Sequence, residues 1–340
     1  MRLNQKKVNI ICEIGLNHNG KFKTAKKMVD IALKEGADIV KFQMALPDNV
    51  KIPNAPLANY QKKNIGKKFS SLSLSKKLHL NFQEIEKLKK IIEKKGKLFL
   101  TSAFDLKSLK FVKKIGCKYI KIPSGEINNI LFLEFCSKNF KYIFLSTGMS
   151  TYSEVVKAVT ILKRNIKKKI YVLQCNSDYP SPTKDVNLNA MVHMGKKLKL
   201  DYGLSDHTLG IECSLAAVAM GAKIIEKHFT LNKNMFGADH ICSVNPSEFR
   251  DLVGSIRNIE LALGDKMKKV SSSEYKNKKV VRKGVYFLRD FKINEKIRIT
   301  DLGILRPENS FSPFEVKKII GKRVSKKFKK FESVKKNYIY

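Results

Sequence analysis

Two histidines, His207 and His228, close the segments DYGLSDH (201–207) and KIIEKH (223–228). They are too far apart for one helix to present both. At the matching ends of adjacent strands they can bind a single ion. Two imidazoles leave coordination positions open, which suits a divalent cation completed by water and a substrate oxygen better than a closed structural zinc site. The alternative is a pair of hydrogen-bonded histidines without metal. Lys41 and Gln43 fall on one face by strand parity, and Lys121 ends another strand-like run. Lysines turned into an enclosed site mean either an anion site or a Schiff base. SG (124–125) and STG (146–148) stand before helix candidates, where hydroxyls and free backbone N–H groups would cradle a phosphate. Glu13 and Glu226 flank these groups; beside a metal, a carboxylate can hold water or move a proton, and elsewhere it makes a salt bridge. Glu126 follows the turn at 124–125 and can bind a sugar hydroxyl. His18, in NHNG (17–20), is a turn or a site residue, while His79 and His193 read as structural or exposed.

These residues need elements that bring them to one place. Eight β-branched runs alternate with amphipathic, Lys/Glu-rich stretches: 8–13, 38–43, 97–102, 119–124, 142–147, 170–176, 201–207 and 223–228. Helical spacing lies between most of them, as at 23–35 and 151–163. The pattern predicts a (β/α)8 TIM barrel over 1–264, with a doubly wound open sheet as the alternative. Against the open sheet, the first run leads into EIGLNHNG (13–20), not G-x-G-x-x-G. Each run becomes polar at its C-terminal end, and in a barrel those ends share one mouth, where active sites sit. Segment 44–96 exceeds a simple loop and is expected to carry extra structure over that mouth. Segment 265–283 reads as a polar, flexible linker. Residues 284–340 read as a small, mainly β domain with a short helix candidate at 314–320.

The chain has 340 residues, 43% hydrophobic, enough for a sizeable core. Its formal charge is +38, but the lysines are spread along the whole length, as at 23–27, 87–90, 167–169 and 326–330. With no RNP-type motif, zinc-finger spacing or basic arm, this reads as a solvated surface that helps draw in an anionic substrate, not as a nucleic-acid interface. Cysteines 12, 117, 136, 175, 213 and 242 form no C-x-x-C pair and several sit in apolar runs, as expected for reduced thiols in a cytoplasmic protein. Neither a signal peptide nor an apolar stretch of the ~20 residues that cross a bilayer is expected.

The segments EIGLNHNG (13–20), GADIVKFQ (36–43), YIKIPSGEINN (119–129), LSTGMS (145–150), QCNSDYPSP (174–182), DVNLNAM (185–191), GLSDHT (203–208) and IEKHFTLNKNMFGADH (225–240) together resemble the N-acetylneuraminate (sialic acid) synthase family over nearly the whole chain. Arg306-Pro307 and Ser312-Pro313 resemble pieces of that family's antifreeze-like (SAF) domain. The resemblance implies a metal-dependent transferase that condenses phosphoenolpyruvate with the open-chain aldehyde of N-acetylmannosamine and water, giving N-acetylneuraminate and phosphate. The neighbouring possibility is N,N'-diacetyllegionaminate from 2,4-diacetamido-2,4,6-trideoxymannose; a pseudaminate synthase fits GADH (237–240) less well. It also implies His207 and His228 as ligands of Mn2+, with Mg2+ or Co2+ as alternatives. Lys41, Ser102, Lys121, Ser124, Ser146 and Ser205 would surround phosphoenolpyruvate, and Gln43, Glu126, Tyr179 and Asp239 the sugar. Glu13 would be a catalytic carboxylate beside the metal. Arg306 would enter the barrel of a partner subunit in a domain-swapped homodimer.

Two motifs depart from the family. Its usual Ser-Thr-Pro-Phe is TSAF (101–104) here, keeping a hydroxyl and losing the proline. Its Arg-Pro-Gly-Asn-Gly-Ile-Ser-Pro loop is RPENSFSP (306–313), without either glycine; if either position needs a positive φ, the loop must take another path. Outside the family, a Schiff-base pyruvate aldolase using Lys41 or Lys121 and a non-catalytic binding protein are the competing classes.

Overall fold

The computed structural model describes residues 3–66, 69–165 and 168–340. Lys167, in the lysine run at 167–169, lies outside them. The chain separates into two compact units, Met1–Gly264 and Asp265–Tyr340.

The first unit is a closed parallel barrel of eight strands in sequential order. They are β1 (Asn9–Gly15), β2 (Ile39–Met44), β3 (Leu98–Ala103), β4 (Tyr119–Ile122), β5 (Tyr142–Ser146), β6 (Lys169–Cys175), β7 (Asp201–Asp206) and β8 (Ile224–His228). Each falls on one of the eight runs expected from sequence. The helices are α1 (Phe22–Lys34), α2 (Asn59–Ile65), α3 (Ser71–Leu78), α4 (Phe82–Lys94), α5 (Leu106–Lys114), α6 (Ile130–Asn139), α7 (Tyr152–Lys163), α8 (Leu188–Leu198), α9 (Glu212–Ala219) and α10 (Pro246–Ala262). Several start where the sequence supplies a capping box: Asn81 with Glu84 for α4, Thr151 with Glu154 for α7, and Asn245 with Glu248 for α10, which also has Pro246 in its first turn. Between β2 and α4, α2 and α3 are the extra structure that segment 44–96 predicted.

Strand parity builds the barrel interior in layers. Ile11, Ile39, Leu100, Tyr119, Phe144, Tyr171, Leu173 and Ile224 form one apolar cluster, with Leu3 added from the N-terminal segment. Two residues further along most of these strands the same face turns polar: Ile11 is followed by Glu13, Ile39 by Lys41, Leu100 by Ser102, Tyr119 by Lys121, Phe144 by Ser146 and Ile224 by Glu226. Because side chains alternate with period two, an apolar plug is capped by a polar layer without any break in the strands. The opposite faces, with Val40, Phe42, Ile120, Leu145, Val172 and Ile225, pack with the surrounding helices in a separate core.

In the second unit, β9 (Gly284–Phe287) pairs antiparallel with β10 (Leu302–Leu305). Its own core contains Val285, Phe287, Phe291, Ile297, Phe311, Val324 and Phe328. The helix candidate at 314–320 forms as a 3-10 helix, Pro313–Ile319. Within segment 265–283, expected as a linker, a helix α11 (Ser272–Val281) forms instead of a continuous flexible chain. Ser271 caps it and Glu274 closes a capping box. The glycine-free loop after β10 does take a path with no left-handed residue, since neither Glu308 nor Ser310 has a positive φ. Asn309 anchors it: its Nδ2 donates to the Val285 carbonyl at 2.7 Å, and its Oδ1 accepts from the Val285 and Phe311 amides at 3.3 and 3.0 Å.

Candidate active site

The polar layer is an ion-pair chain. Barrel closure sets Glu13 opposite Lys41 on β2 and opposite His228 on β8. Lys41 Nζ lies 2.7 Å from Glu13 Oε1 and 3.7 Å from Glu226 Oε1. Lys121 Nζ lies 2.7 Å from the same Glu226 oxygen, which also accepts from Ser205 Oγ at 2.9 Å. Lys41 donates to Ser102 Oγ at 3.2 Å, and Gln43 Nε2 to Glu13 Oε1 at 2.9 Å. All four charged groups are buried. Burial opposes charge on Lys41, but Glu13 and Glu226 outweigh it and hold its pKa above the ordinary lysine value. At Lys121 burial wins over Glu226, with Lys41 adding repulsion, and the pKa falls. Glu226 would be raised by burial, yet Lys121 and Lys41 hold it well below the usual carboxylate range.

Above this layer the two histidine rings stand 5.4 Å apart between centroids. That is close enough to share one ion, given metal–nitrogen bonds of ~2 Å. His207 Nδ1 is 2.6 Å from the Asn176 carbonyl, to which it donates, so Nε2 carries the free lone pair. Buried Nδ1 of His228 and Oε2 of Glu13 and of Glu226 have no hydrogen-bond partner. Unpartnered carboxylate oxygens of Glu13 and Glu226 near the two imidazoles fit a cation. Among the described residues no group of three or more His, Cys, Asp or Glu side chains is arranged to hold a metal, so an ion here would take its remaining ligands from water or substrate. Tyr179 packs against His207 at 4.1 Å and edge-on to His228 at 5.7 Å.

These groups surround a cavity of about 370 Å³. Of the residues expected in the site, Glu13, Lys41, Gln43, Ser102, Lys121, Ser124, Ser146, Tyr179, Ser205, His207, His228 and Asp239 line it, together with Glu226. Burial pushes the Asp239 carboxyl up to about 6. Glu126 is not among the lining residues: it ends a 3-10 turn and accepts from Asn129 Nδ2 at 2.7 Å. Arg306 belongs to the second unit, where it is exposed. No α-helix begins at either expected phosphate-cradle turn: Ser124 opens a 3-10 turn, Ser124–Glu126, and α6 and α7 begin at Ile130 and Tyr152. The two loops bond to each other instead. The Gly148 amide donates to Ser124 Oγ at 2.9 Å, and the Thr147 amide to the Leu173 carbonyl at 3.1 Å. Ser146 Oγ stays buried without a partner.

Sequence reasoning missed several lining groups. Cys175 enters by the same parity as Tyr171 and Leu173, and all six cysteines are free and buried. Burial would raise the Cys175 thiol, but His207 beside it and Lys121 bring it down to about 7. Lys51, Tyr60, Gln61 and His79 come from the inserted segment, whose pattern carries no hint of which side faces the mouth. His79, read as structural or exposed, lines the cavity while its Nδ1 donates to the Ser75 carbonyl at 2.9 Å. Buried His18 accepts from the Gly20 amide at 3.1 Å and does not line the cavity, which favours the turn role.

A closed parallel barrel with buried lysines, glutamates and paired histidines at the C-terminal strand ends defines a (β/α)8-barrel enzyme with a charged mouth. The chain belongs to the NeuB family, whose profile matches residues 28–268. It is 42% identical over 332 residues to the N,N'-diacetyllegionaminic acid synthase of Campylobacter jejuni, covering 97% of this chain and 99% of that one. It is 38% identical to the synthase of the same name from Legionella pneumophila, covering 93% and 90%. Among solved structures it is similar to the N-acetylneuraminic acid (sialic acid) synthetase of Leptospira borgpetersenii, solved with citrate, at a TM-score of 0.69 and 34% identity over 80% of this chain and 90% of that one. No helix among the described residues is long and apolar enough to cross a membrane.

Proposed function

We propose that this enzyme condenses phosphoenolpyruvate with the open-chain aldehyde of 2,4-diacetamido-2,4,6-trideoxymannose and water, giving N,N'-diacetyllegionaminate and phosphate. The observation that carries the reaction class is the Glu13–Lys41–Glu226–Lys121 layer beneath His207 and His228. The choice of sugar rests on the two relatives named N,N'-diacetyllegionaminic acid synthase, which favour the alternative over N-acetylmannosamine.

Each lysine has three ammonium protons, so it can hold a carboxylate or phosphate oxygen as well as its glutamate. Ser146 Oγ, buried and unpartnered, supplies a further donor. Ser102, Ser124 and Ser205 complete the polar wall toward that anion. His207 and His228 would hold a divalent ion, Mn2+ before Mg2+ or Co2+, which when bound acts as a Lewis acid toward the sugar aldehyde. Glu13, with one oxygen on Lys41 and the other free, is placed to orient the water that adds to C2 of phosphoenolpyruvate. Gln43, Tyr179 and Asp239 face the sugar, and the enclosed walls keep other water out. Arg306 and the loop pinned by Asn309 would complete the site of a partner subunit in a domain-swapped homodimer. Lys41, paired with Glu13 at 2.7 Å and held above the ordinary lysine pKa, is a poor Schiff-base nucleophile, which disfavours the aldolase reading through that residue.

The test is phosphate release from phosphoenolpyruvate with each sugar, with and without Mn2+, and mass analysis of the product. The diacetamido sugar should give the higher kcat/KM. Faster turnover of N-acetylmannosamine would reassign the sugar, and no release with either would reject the reading.

A further inference from the structure

On the side of β7 and β8 that faces the helices, strand parity calls for apolar residues, and Leu204, Ile225 and Phe229 obey it. Asp206 and Lys227 do not. They stand opposite each other in the β7–β8 register, and their charged ends lie 2.9 Å apart with both side chains fully buried. Neither lines the cavity. Asp206 precedes His207, and Lys227 precedes His228.

The bonds around this pair enclose His207. Asp206 Oδ1 accepts from the Thr208 amide at 2.9 Å and from its hydroxyl at 2.7 Å, closing a turn with His207 in the middle. Asp206 Oδ2 accepts from Ser214 Oγ on α9 at 2.6 Å. Lys227 Nζ donates to the Thr208 carbonyl at 2.7 Å, so β8 grips the turn of β7 directly. A buried ion pair is weak evidence for stability, because desolvation offsets much of its attraction, and apolar replacements of equal size pack as well or better. The backbone ladder holds the two strands in register, but apolar contacts are non-directional and would not hold the turn at Thr208 that follows His207.

We propose that Lys227 and Asp206 are positioning residues that set the placement of His207 relative to His228 for a shared ion. The inference rests on the reading that the two histidines work as a pair. The outer network fixes the backbone on both sides of His207, while Asn176 fixes its ring from within the mouth. Substrate need not touch either residue of the pair.

The decisive variant is the double substitution Asp206→Leu with Lys227→Met, which leaves no lone buried charge. Selective 15N labelling of the six histidines reports the tautomers in metal-free protein. Mn2+ titration followed by electron paramagnetic resonance reports affinity without turnover. Native His207 should show a single Nδ1–H tautomer. The folded double variant should show a mixed or exchange-broadened His207 signal and bind Mn2+ about 10–100-fold more weakly, as loss of ligand-orienting contacts does. An unchanged His207 signal together with affinity within about threefold of native would overturn the proposal. If the double variant does not fold, Ser214→Ala decides by the same two readouts, an unchanged signal and affinity again overturning it. Should native protein bind no Mn2+, the metal reading of the site fails, and the tautomer measurement alone then judges the positioning role.

Discussion

Replacing Glu226 by Gln removes the shared carboxylate of the polar layer while keeping its shape. At an effective dielectric near 20, its attraction to Lys121 at 2.7 Å is about 6 kcal/mol and to Lys41 at 3.7 Å about 4.5 kcal/mol. Relief of the carboxylate's own desolvation returns several kcal/mol of this, so the net loss is about 3–5 kcal/mol, the usual consequence of stranding a buried charge. Lys41 keeps Glu13 at 2.7 Å, so Lys121 bears most of the loss. At roughly 2–4 °C per kcal/mol for a domain of this class, the melting temperature should fall by roughly 6–20 °C. An anion placed on Lys121 should restore part of it, because a ligand at 100 times its dissociation constant adds about 2.7 kcal/mol. Scanning calorimetry with and without phosphoenolpyruvate checks both effects, and the ligand should raise the variant's midpoint more than the native one's. A variant that melts within about 2 °C of native, or that gains no more from the ligand, would refute the ion-pair account.

Chelation should abolish phosphate release and added Mn2+ should restore it; full turnover in metal-free protein would remove the ion from the scheme. Gly148→Ala would bring a Cβ against Ser177 Oγ and to 2.9 Å from Ser124 Oγ, forcing both hydroxyls to turn away and breaking the Gly148–Ser124 bond. It should destabilise by about 1–3 kcal/mol and raise KM for phosphoenolpyruvate, as read by urea unfolding and steady-state kinetics. Phe144→Ala removes a fully buried ring that stacks on Tyr171 at 5.1 Å within the plug, and urea unfolding should show a loss of about 3–5 kcal/mol. Asn309→Ala would leave the Val285 carbonyl and two amides without their side-chain partner, and the Val285 and Phe311 amides should exchange with deuterium faster than in native protein.

Much of the barrel is legible in the chain because its signals are local. Period-two alternation fixes which residues of β2 or β8 share a face, and capping pairs such as Asn81 with Glu84 fix where helices begin. The same local logic accounts for ten of the expected residues that line the cavity, since all parallel strands of a barrel end at one mouth, whereas Tyr179 and Asp239 were expected only from the family resemblance. It failed where a local signal was ambiguous. The polar composition of 265–283 reads as a linker although α11 forms there, and the Ser124-Gly125 turn opens only a short 3-10 turn, with α6 and α7 beginning at Ile130 and Tyr152.

The sequence by itself determined the element types, the inward and outward sets on each strand, and the residue kinds available for chemistry. Only the tertiary structure decided who meets whom. Glu226 from the last barrel strand joins Lys41 from the second and Lys121 from the fourth, a contact set by barrel closure between β1 and β8 and carrying no trace in local spacing. The same holds for Gly148 on Ser124, for the insertion residues that reach the cavity, and for Lys227 on Asp206 behind the histidines. Which buried charge neutralises which depends on distances across the barrel, and those exist only once the sheet has closed.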